Sequence, residues 1–209
     1  MHIAEGVLSV PVLAAGAATT FVGIWIGLRR LEENRLILAA VLAATFFVGS
    51  LIHVPLGPSS VHLLLNGLAG LLLGWIAFPV LFVGLLLQAV LFQFGGLLVL
   101  GVNTCTVALP AVLCGCLLRA LLARGGRTAL VAGFAAGAGA VLGTALLTAL
   151  ALTLTDQGFL VAAKLVVAAH LPLAAVEGLV AMFAVGFLGR TRPDLLAGRM
   201  TSAGEAMPC

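Results

Sequence analysis

Charged residues are scarce in this chain. Of its 209 residues, 10 are lysine or arginine and 7 are aspartate or glutamate, so 8% of the chain is charged, against about 25% in an ordinary soluble domain. Hydrophobic residues make up 63%. So few charges cannot cover a surface that faces water, and a water-soluble globule is therefore excluded. The basic residues are also too few and too dispersed for a nucleic-acid surface, although the formal net charge is +3.

Several functional motifs are missing as well. The sequence contains no GxxxxGK[ST] phosphate loop, no HExxH, no GxSxG and no pair of carboxylates within one apolar run. The four cysteines show no CxxC spacing, which predicts packing roles for them. Membrane catalysis therefore has little support, and the energy for any transport would have to come from an ion gradient or from another subunit.

What the sequence does contain is a series of long apolar runs. A helix needs about 20 apolar residues to cross a bilayer. We therefore predict an all-α membrane helix bundle of about seven transmembrane helices, with residues 1–199 as a single domain and 200–209 as a disordered tail. Pro172 predicts that the last run is a short entering segment followed by a span over about 171–188. The seven runs are 7–28, 36–54, 61–77, 80–100, 104–123, 128–154 and 159–188.

The arginines predict the orientation of the chain. With seven spans, three of the connecting or terminal segments share one side of the membrane, and every arginine lies in or beside one of them. Segments on the cytoplasmic side carry an excess of Lys and Arg. We therefore predict a cytoplasmic C-terminus and an N-terminus on the outer side. The arginines are Arg29, Arg30, Arg35, Arg119, Arg124, Arg127, Arg190, Arg192 and Arg199.

The N-terminus offers metal-binding chemistry. Residues 1–6 contain no Lys or Arg but do contain Glu5, so we expect no signal peptide and a retained Met1. The amine of Met1, the deprotonated amide nitrogen of His2 and Nδ1 of His2 can close unstrained five- and six-membered chelate rings in one plane. A fourth nitrogen would complete a square, the geometry typical of Cu(II) and Ni(II). Metal capture would release protons and weaken at acidic pH.

A fourth donor is available in the predicted outer connector between the second and third runs. This connector, 54–62, is rich in Pro and Gly, which predicts an ordered, turn-rich loop. His62 stands at the entry to the third run, and His53 lies nine residues earlier. Either imidazole can supply the fourth nitrogen, and either can instead cap a loop by hydrogen bonding.

Other polar residues lie in or near the apolar runs, where polar side chains are costly. His170 and Glu177 are seven residues apart, which places them on one face of a helix. They can orient ligands, relay protons or form a structural pair. Gln88 and Asn103 flank the two glycines at 95–96, which predicts a bend or a close contact with hydrogen bonds between helices.

Small residues spaced four apart predict faces where helix backbones approach closely. Such faces can pack inside the bundle or dock a helix of a partner. They comprise Gly23/Gly27, Gly70/Gly74, Gly133/Gly137 and Gly139/Gly143, with Ala39/Ala43 and Ala40/Ala44 on the second run.

Several stretches together resemble one known family. They are MHIAEG (1–6), PSSVHLLLNGLAG (58–70), GVN (101–103), HLPLAAVEG (170–178) and RTRPDL (190–195). In this order they resemble the CbiM/NikM family, the substrate-binding (S) components of energy-coupling factor (ECF) transporters for cobalt and nickel. One departure is that the family commonly has a second Asn after Asn103, where this chain has Thr104.

The resemblance implies a fold whose extra first span brings the N-terminus into the substrate cavity. In that family the metal is bound by the terminal amine, by the amide and imidazole of the second residue, and by a His after the second span. These ligands correspond to Met1, His2 and His62. The resemblance leaves His53, Asn103, His170 and Glu177 as candidates for supporting the ligands, and it places docking of the coupling subunit on Ala39, Ala40, Ala43 and Ala44.

The resemblance also implies partners. They are a transmembrane coupling subunit of EcfT/CbiQ type, two ATPase subunits of CbiO type and a small CbiN-like accessory subunit, in the cytoplasmic membrane of a bacterium or archaeon. The chain itself is then no enzyme, has no organic cofactor, and carries Co²⁺ or Ni²⁺ as its transported substrate. Two alternatives stay open: a gradient-driven secondary transporter with His170 and Glu177 as a proton relay, and a membrane metalloenzyme that also uses His62.

Overall fold

A computed structural model of the chain describes residues 3–51, 53–56 and 59–196. Within them the chain forms helices and one two-stranded hairpin, joined by short 3-10 turns and loops. In chain order the elements are α1 (Val10–Arg29), α2 (Leu36–Gly49), β1 (His53–Leu56), β2 (Ser59–His62), α3 (Asn66–Leu73), α4 (Ala77–Phe92), α5 (Leu100–Ala123), α6 (Gly126–Thr155), α7 (Leu160–Thr191) and α8 (Pro193–Leu196).

The predicted helical membrane bundle is confirmed, but length and composition do not confirm the count of seven spans. α2 has only 14 residues, and α3 and α4 form one apolar stretch that is interrupted at Gly74, where φ is +58°. Five helical stretches are long and apolar enough to cross a membrane: Val10–Arg29, Asn66–Phe92, Leu100–Ala123, Gly126–Thr155 and Gln157–Thr191.

The connector between α2 and α3 is a β-hairpin. We predicted that the second and third apolar runs continue as helices into this connector, but α2 ends at Gly49 and α3 begins only at Asn66. The two strands pair antiparallel, with His53 opposite His62. Pro55 has no backbone N–H, and Val54 beside it and Val61 opposite Val54 favour extended backbone. Apolar composition alone therefore overestimated the helices here.

Two further boundaries differ from the prediction. α7 is continuous from Leu160 to Thr191, so the predicted break at Pro172 is wrong. Proline removes one helical hydrogen bond, but membrane helices tolerate it where neighbouring groups compensate. The fourth predicted run extends to residue 100, but α4 ends at Phe92, so that boundary is wrong as well. The glycines at 95–96 adopt positive φ, which confirms the bend predicted there.

Glycine contacts bring the helices close together. A side chain at Gly67 of α3 would overlap the backbone of Ala136 in α6, and one at Gly70 would overlap the backbone of Ala111 in α5. α3 is buried along its whole length, so it forms the centre of the bundle. The pairs Gly23/Gly27 and Gly133/Gly137 pack against α4 and α7 respectively, which confirms the packing predicted from their spacing.

Candidate metal-binding site

The N-terminal segment is fixed inside the bundle. Ile3 is fully buried. Its N–H donates to Oδ1 of Asn103 at 2.9 Å, and its carbonyl accepts from Nδ2 of the same side chain at 3.2 Å. One side-chain amide thus satisfies both backbone groups of a residue 100 positions away. Asn103 is itself buried near the start of α5, so the chain is anchored in the interior at its third residue.

Glu5 ties the same segment to the bend after α4. Its N–H donates to the carbonyl of Gly95 at 3.0 Å, and its Oε1 accepts from the N–H of Leu98 at 2.9 Å. A side chain at Gly96 would overlap the Glu5 carboxylate, so this glycine makes room for it. The bend is therefore a docking point for the N-terminal segment.

His62 ends the hairpin in the connector before α3. It is 3% exposed, and its ring lies edge-on to Phe46 with the centroids 6.4 Å apart. Its Nδ1 lies 3.0 Å from the carbonyl oxygen of Leu63. Because a carbonyl only accepts, Nδ1 carries the proton and Nε2 keeps its lone pair.

The environment of His62 keeps its imidazole neutral. Burial lowers the pKa of His62 to about 4, since the charged ring is poorly solvated there. The hydrogen bond to the Leu63 carbonyl opposes this effect on the pKa, and the nearby His170 adds to it. At pH 7 the ring is therefore in the form that binds metal ions.

Glu177 of α7 holds the segment that follows His62. Its carboxylate accepts from the N–H of Leu64 and from the N–H of Leu65, the latter at 3.0 and 2.9 Å to its two oxygens. Leu65 has a φ of +50°, a conformation that L-residues rarely adopt. Glu177 is 1% exposed. The carboxylate thus fixes the backbone between His62 and α3.

His170 lies two turns before Glu177 on α7 and is fully buried. Its Nδ1 donates to the carbonyl of Val166 at 2.6 Å, which leaves the lone pair on Nε2. Within the part of the chain that the structure describes, this Nε2 has no hydrogen-bond partner. His170 also lies near enough to His62 to influence its charge. It therefore offers a buried acceptor beside the hairpin end.

α5 connects the N-terminal segment to the start of α3. Asn103 holds Ile3, and four residues later the carbonyl of Val107 accepts from Nδ2 of Asn66 at 2.9 Å. Asn66 is fully buried and begins α3, four residues after His62. Because one helical turn rises about 5.4 Å, the two anchors lie on neighbouring turns of α5.

The structure describes only some of the predicted ligands. Met1 and His2 lie outside the described residues, and of His53 only the backbone position opposite His62 is described. Among residues 3–51, 53–56 and 59–196, no group of three or more His, Cys, Asp or Glu side chains is arranged to hold a metal ion. Of the predicted supporting residues, Asn103 binds Ile3, and Glu177 binds the backbone of Leu64 and Leu65 that follows His62.

α2 exposes half of the predicted docking face. Ala40 and Ala44 are exposed, whereas Ala39 is buried and Ala43 is partly buried. The carbonyl of Ala43 lies 3.7 Å from the position that a side chain at Gly84 of α4 would take. Residues spaced four apart share a helix face, so one pair of alanines faces the bundle and the other faces away.

Two anchors had no assigned role in the sequence prediction. Asn66 holds the start of α3, and Glu5 holds the N-terminal segment. Each is a polar residue in or next to an apolar run, and such residues are often functional because polar side chains are costly in a membrane. Their contacts, however, depend on how α3 meets α5 and where the bend after α4 lies, and neither is visible in a local pattern.

Sequence comparisons agree with one another. A family model described as the cobalt uptake substrate-specific transmembrane region matches residues 2–195. A Haemophilus influenzae protein named for metal transport is 43% identical over 199 residues, which cover 94% of this chain and 97% of that protein. The fused nickel transport protein NikMN of Rhodobacter capsulatus is 32% identical over 230 residues, which cover 97% of this chain and 66% of that longer protein.

A solved structure has the same fold. A crystal structure described as a transition metal transporter superposes with a TM-score of 0.78 at 26% identity, covering 95% of this chain and 97% of that one. Fold and sequence therefore point to metal transport and away from enzymatic chemistry. The chain belongs to the CbiM family and is a membrane component of cobalt and nickel transport.

Proposed function

We propose that this chain is the substrate-capture subunit of an ATP-driven ECF-type importer for Co²⁺ or Ni²⁺. The amine of Met1, the amide nitrogen and Nδ1 of His2, and Nε2 of His62 bind the ion. Square coordination by four nitrogens favours Ni²⁺ over Co²⁺ in the affinity order of divalent ions. The supply of each metal ion and the shape of the cavity also affect which of the two ions is bound.

The observation that carries this proposal is the pair of hydrogen bonds between Asn103 and Ile3. They anchor the chain inside the bundle at the residue after His2. Two residues of fully extended chain span at most about 7 Å, so the terminal amine can reach no farther than about that distance from this anchor. Asn66, at the start of α3 and four residues after His62, is anchored on the next turn of α5, which supports a shared site.

Helix contacts support the topology that this function needs. Gly27 at the end of α1 packs against Pro79 at the start of α4, and the rings of Phe47 and Phe92 at the ends of α2 and α4 lie 5.7 Å apart. α4 thus runs antiparallel to α1 and parallel to α2. With α3 leading down to the turn at Gly74, seven elements alternate in direction. The N-terminus is then outside and the arginines are cytoplasmic.

ATP hydrolysis is assigned to other subunits, because the sequence has no phosphate loop. We assign the exposed Ala40 and Ala44, together with the exposed Ile37 and Val41 beside them, to docking of the EcfT/CbiQ-type coupling subunit. Two CbiO-type ATPases would drive that subunit, a CbiN-like accessory subunit would assist, and the complex would reside in the cytoplasmic membrane of a bacterium or archaeon. Small side chains let helices approach closely.

The test of this function is metal binding by the purified chain. We expect His62→Ala to weaken Co²⁺ and Ni²⁺ binding by more than about 100-fold, since loss of a ligand exceeds the usual effect of losing a supporting residue. His53→Ala is the matched control, because His53 lies opposite His62 in the hairpin, and it should leave affinity nearly unchanged. The measurement is metal analysis with competition titrations of Co²⁺, Ni²⁺, Cu²⁺ and Zn²⁺. If His53→Ala loses more metal affinity than His62→Ala, the fourth nitrogen belongs to His53 and the assignment to His62 is wrong.

Asn103→Leu should weaken metal binding by about 10- to 100-fold, as expected for a residue that supports a ligand. The change keeps the side chain's size but removes both hydrogen bonds to Ile3, so the N-terminal segment is no longer held. Thr20→Val is the control, since it removes a partly buried hydrogen bond to the carbonyl of Gly101 on the same part of α5. If both variants bind metal equally well in the same titration, Asn103 does not position the N-terminus.

A further inference from the structure

A cavity of about 540 Å³ lies between the end of α5, the start of α6 and the end of α7. Leu122 in its lining is 19 residues after Asn103 on α5, which corresponds to about 28 Å along the helix. The cavity is therefore separate from the candidate metal site. Four glycines border it and leave space where side chains would otherwise pack: Gly125, Gly126, Gly186 and Gly189.

Two arginines line this cavity, Arg127 at the start of α6 and Arg190 at the end of α7. Within the described residues, the ion pair present joins Arg192 to Asp194. Neither Arg127 nor Arg190 therefore has a carboxylate within 4 Å in that part of the chain. Two like charges at one cavity repel each other, and an anion that contacts both arginines would remove this repulsion and form charge-assisted hydrogen bonds.

The rest of the lining is mainly apolar. It includes Leu122, Leu130, Val185 and Leu196. A small soluble anion would gain nothing from these side chains. An acidic phospholipid matches the whole cavity, because its headgroup can contact the two arginines and its acyl chain can contact the apolar side chains. Basic pockets between membrane helices on the cytoplasmic side are typical sites for acidic lipid headgroups. The cavity lies at the arginine-rich end of the bundle, where such headgroups are present.

We propose that this cavity binds an acidic phospholipid. Its phosphate contacts Arg127 and Arg190, and an acyl chain lies along the leucine and valine side chains of α5, α6 and α7. The bound lipid joins the ends of α6 and α7 at the cytoplasmic surface. This site is independent of metal capture, so either can fail without the other.

The experiment measures lipid binding to the purified full-length chain by native mass spectrometry. Phosphatidylglycerol and phosphatidylcholine are added in turn. We expect selective retention of phosphatidylglycerol. We expect Arg127→Gln with Arg190→Gln to lower that retention at least about tenfold, since arginines near a membrane surface attract acidic headgroups. Gly189→Leu should also lower it by filling the cavity, and a side chain begins there in ordinary contact, 3.5 Å from Leu196.

The control removes two positive charges from arginines outside the cavity. Arg29→Gln with Arg30→Gln changes two arginines at the end of α1 that do not line the cavity, and it should retain phosphatidylglycerol. Equal loss in this control would show that general surface charge binds the lipid and would overturn the proposal. Equal retention of phosphatidylcholine, or displacement of the lipid by inorganic phosphate alone, would overturn it as well.

Discussion

An N-terminal extension of several residues before Met1 is expected to abolish Co²⁺ and Ni²⁺ binding. The extension turns the Met1 amine into an amide and so removes the donor that closes the five-membered chelate ring. The added residues must also enter next to Ile3, which is fully buried. We expect the affinity in a competition titration to fall at least about 1,000-fold, well beyond the 10- to 100-fold typical of a lost supporting residue.

The extension must be longer than one residue. A single added residue would place the histidine third in the chain, where the amine, two amides and the imidazole can form a square of four nitrogens without His62. The matched control is the same protein after a protease removes the extension and leaves Met1 first, and it should bind metal like the unextended chain. Equal affinity before and after cleavage would rule out the chelate.

Glu177→Ala is expected to weaken metal binding by about 10- to 100-fold and to lower the unfolding temperature of the metal-free protein. The N–H groups of Leu64 and Leu65 lose their acceptor, which costs about 1–3 kcal/mol for each buried group left unpaired. The backbone after His62 is then free to move. Glu177→Gln keeps one acceptor oxygen and should give an intermediate affinity in the same titration.

Val185→Ala separates positioning from general stability. Val185 is also buried on α7, with 1% exposure, and it lines the cavity between the ends of α5 and α7 and the start of α6. Its truncation enlarges that cavity and lowers stability without changing the contacts of Leu64 and Leu65. Its metal affinity should therefore stay close to that of the unchanged protein. If it loses as much affinity as Glu177→Ala, metal binding follows stability, and Glu177 has no specific role in placing His62.

Part of the fold could be predicted from apolar runs bounded by charge. The first run, 7–28, corresponds to α1 (Val10–Arg29), and the sixth, 128–154, corresponds to α6 (Gly126–Thr155). Arginines follow the first run and precede the sixth, and glycines mark the start of α6. Such borders are local, so they are visible in the sequence.

The region between α2 and α4 could not be predicted in the same way. An apolar run is compatible with a helix or with a buried strand, and here 53–56 and 59–62 pair as antiparallel strands. Glu177, more than 100 residues away, holds the end of that hairpin through Leu64 and Leu65. The eight-residue helix α3 is buried on all sides, so it has no polar face that would show its ends.

The sequence by itself determined the lipid environment, the chemistry of a Met-His terminus and the resemblance to the family, because composition and short motifs are local properties. Only the tertiary structure decided that Asn103 anchors Ile3, that Glu177 supports the backbone after His62, and that Arg127 and Arg190 share a cavity. The first two are hydrogen bonds between residues about 100 positions apart. The third depends on the packing of the start of α6 beside the end of α7, which leaves a cavity between them. Contacts of this kind arise from helix packing and leave no periodic pattern in the chain.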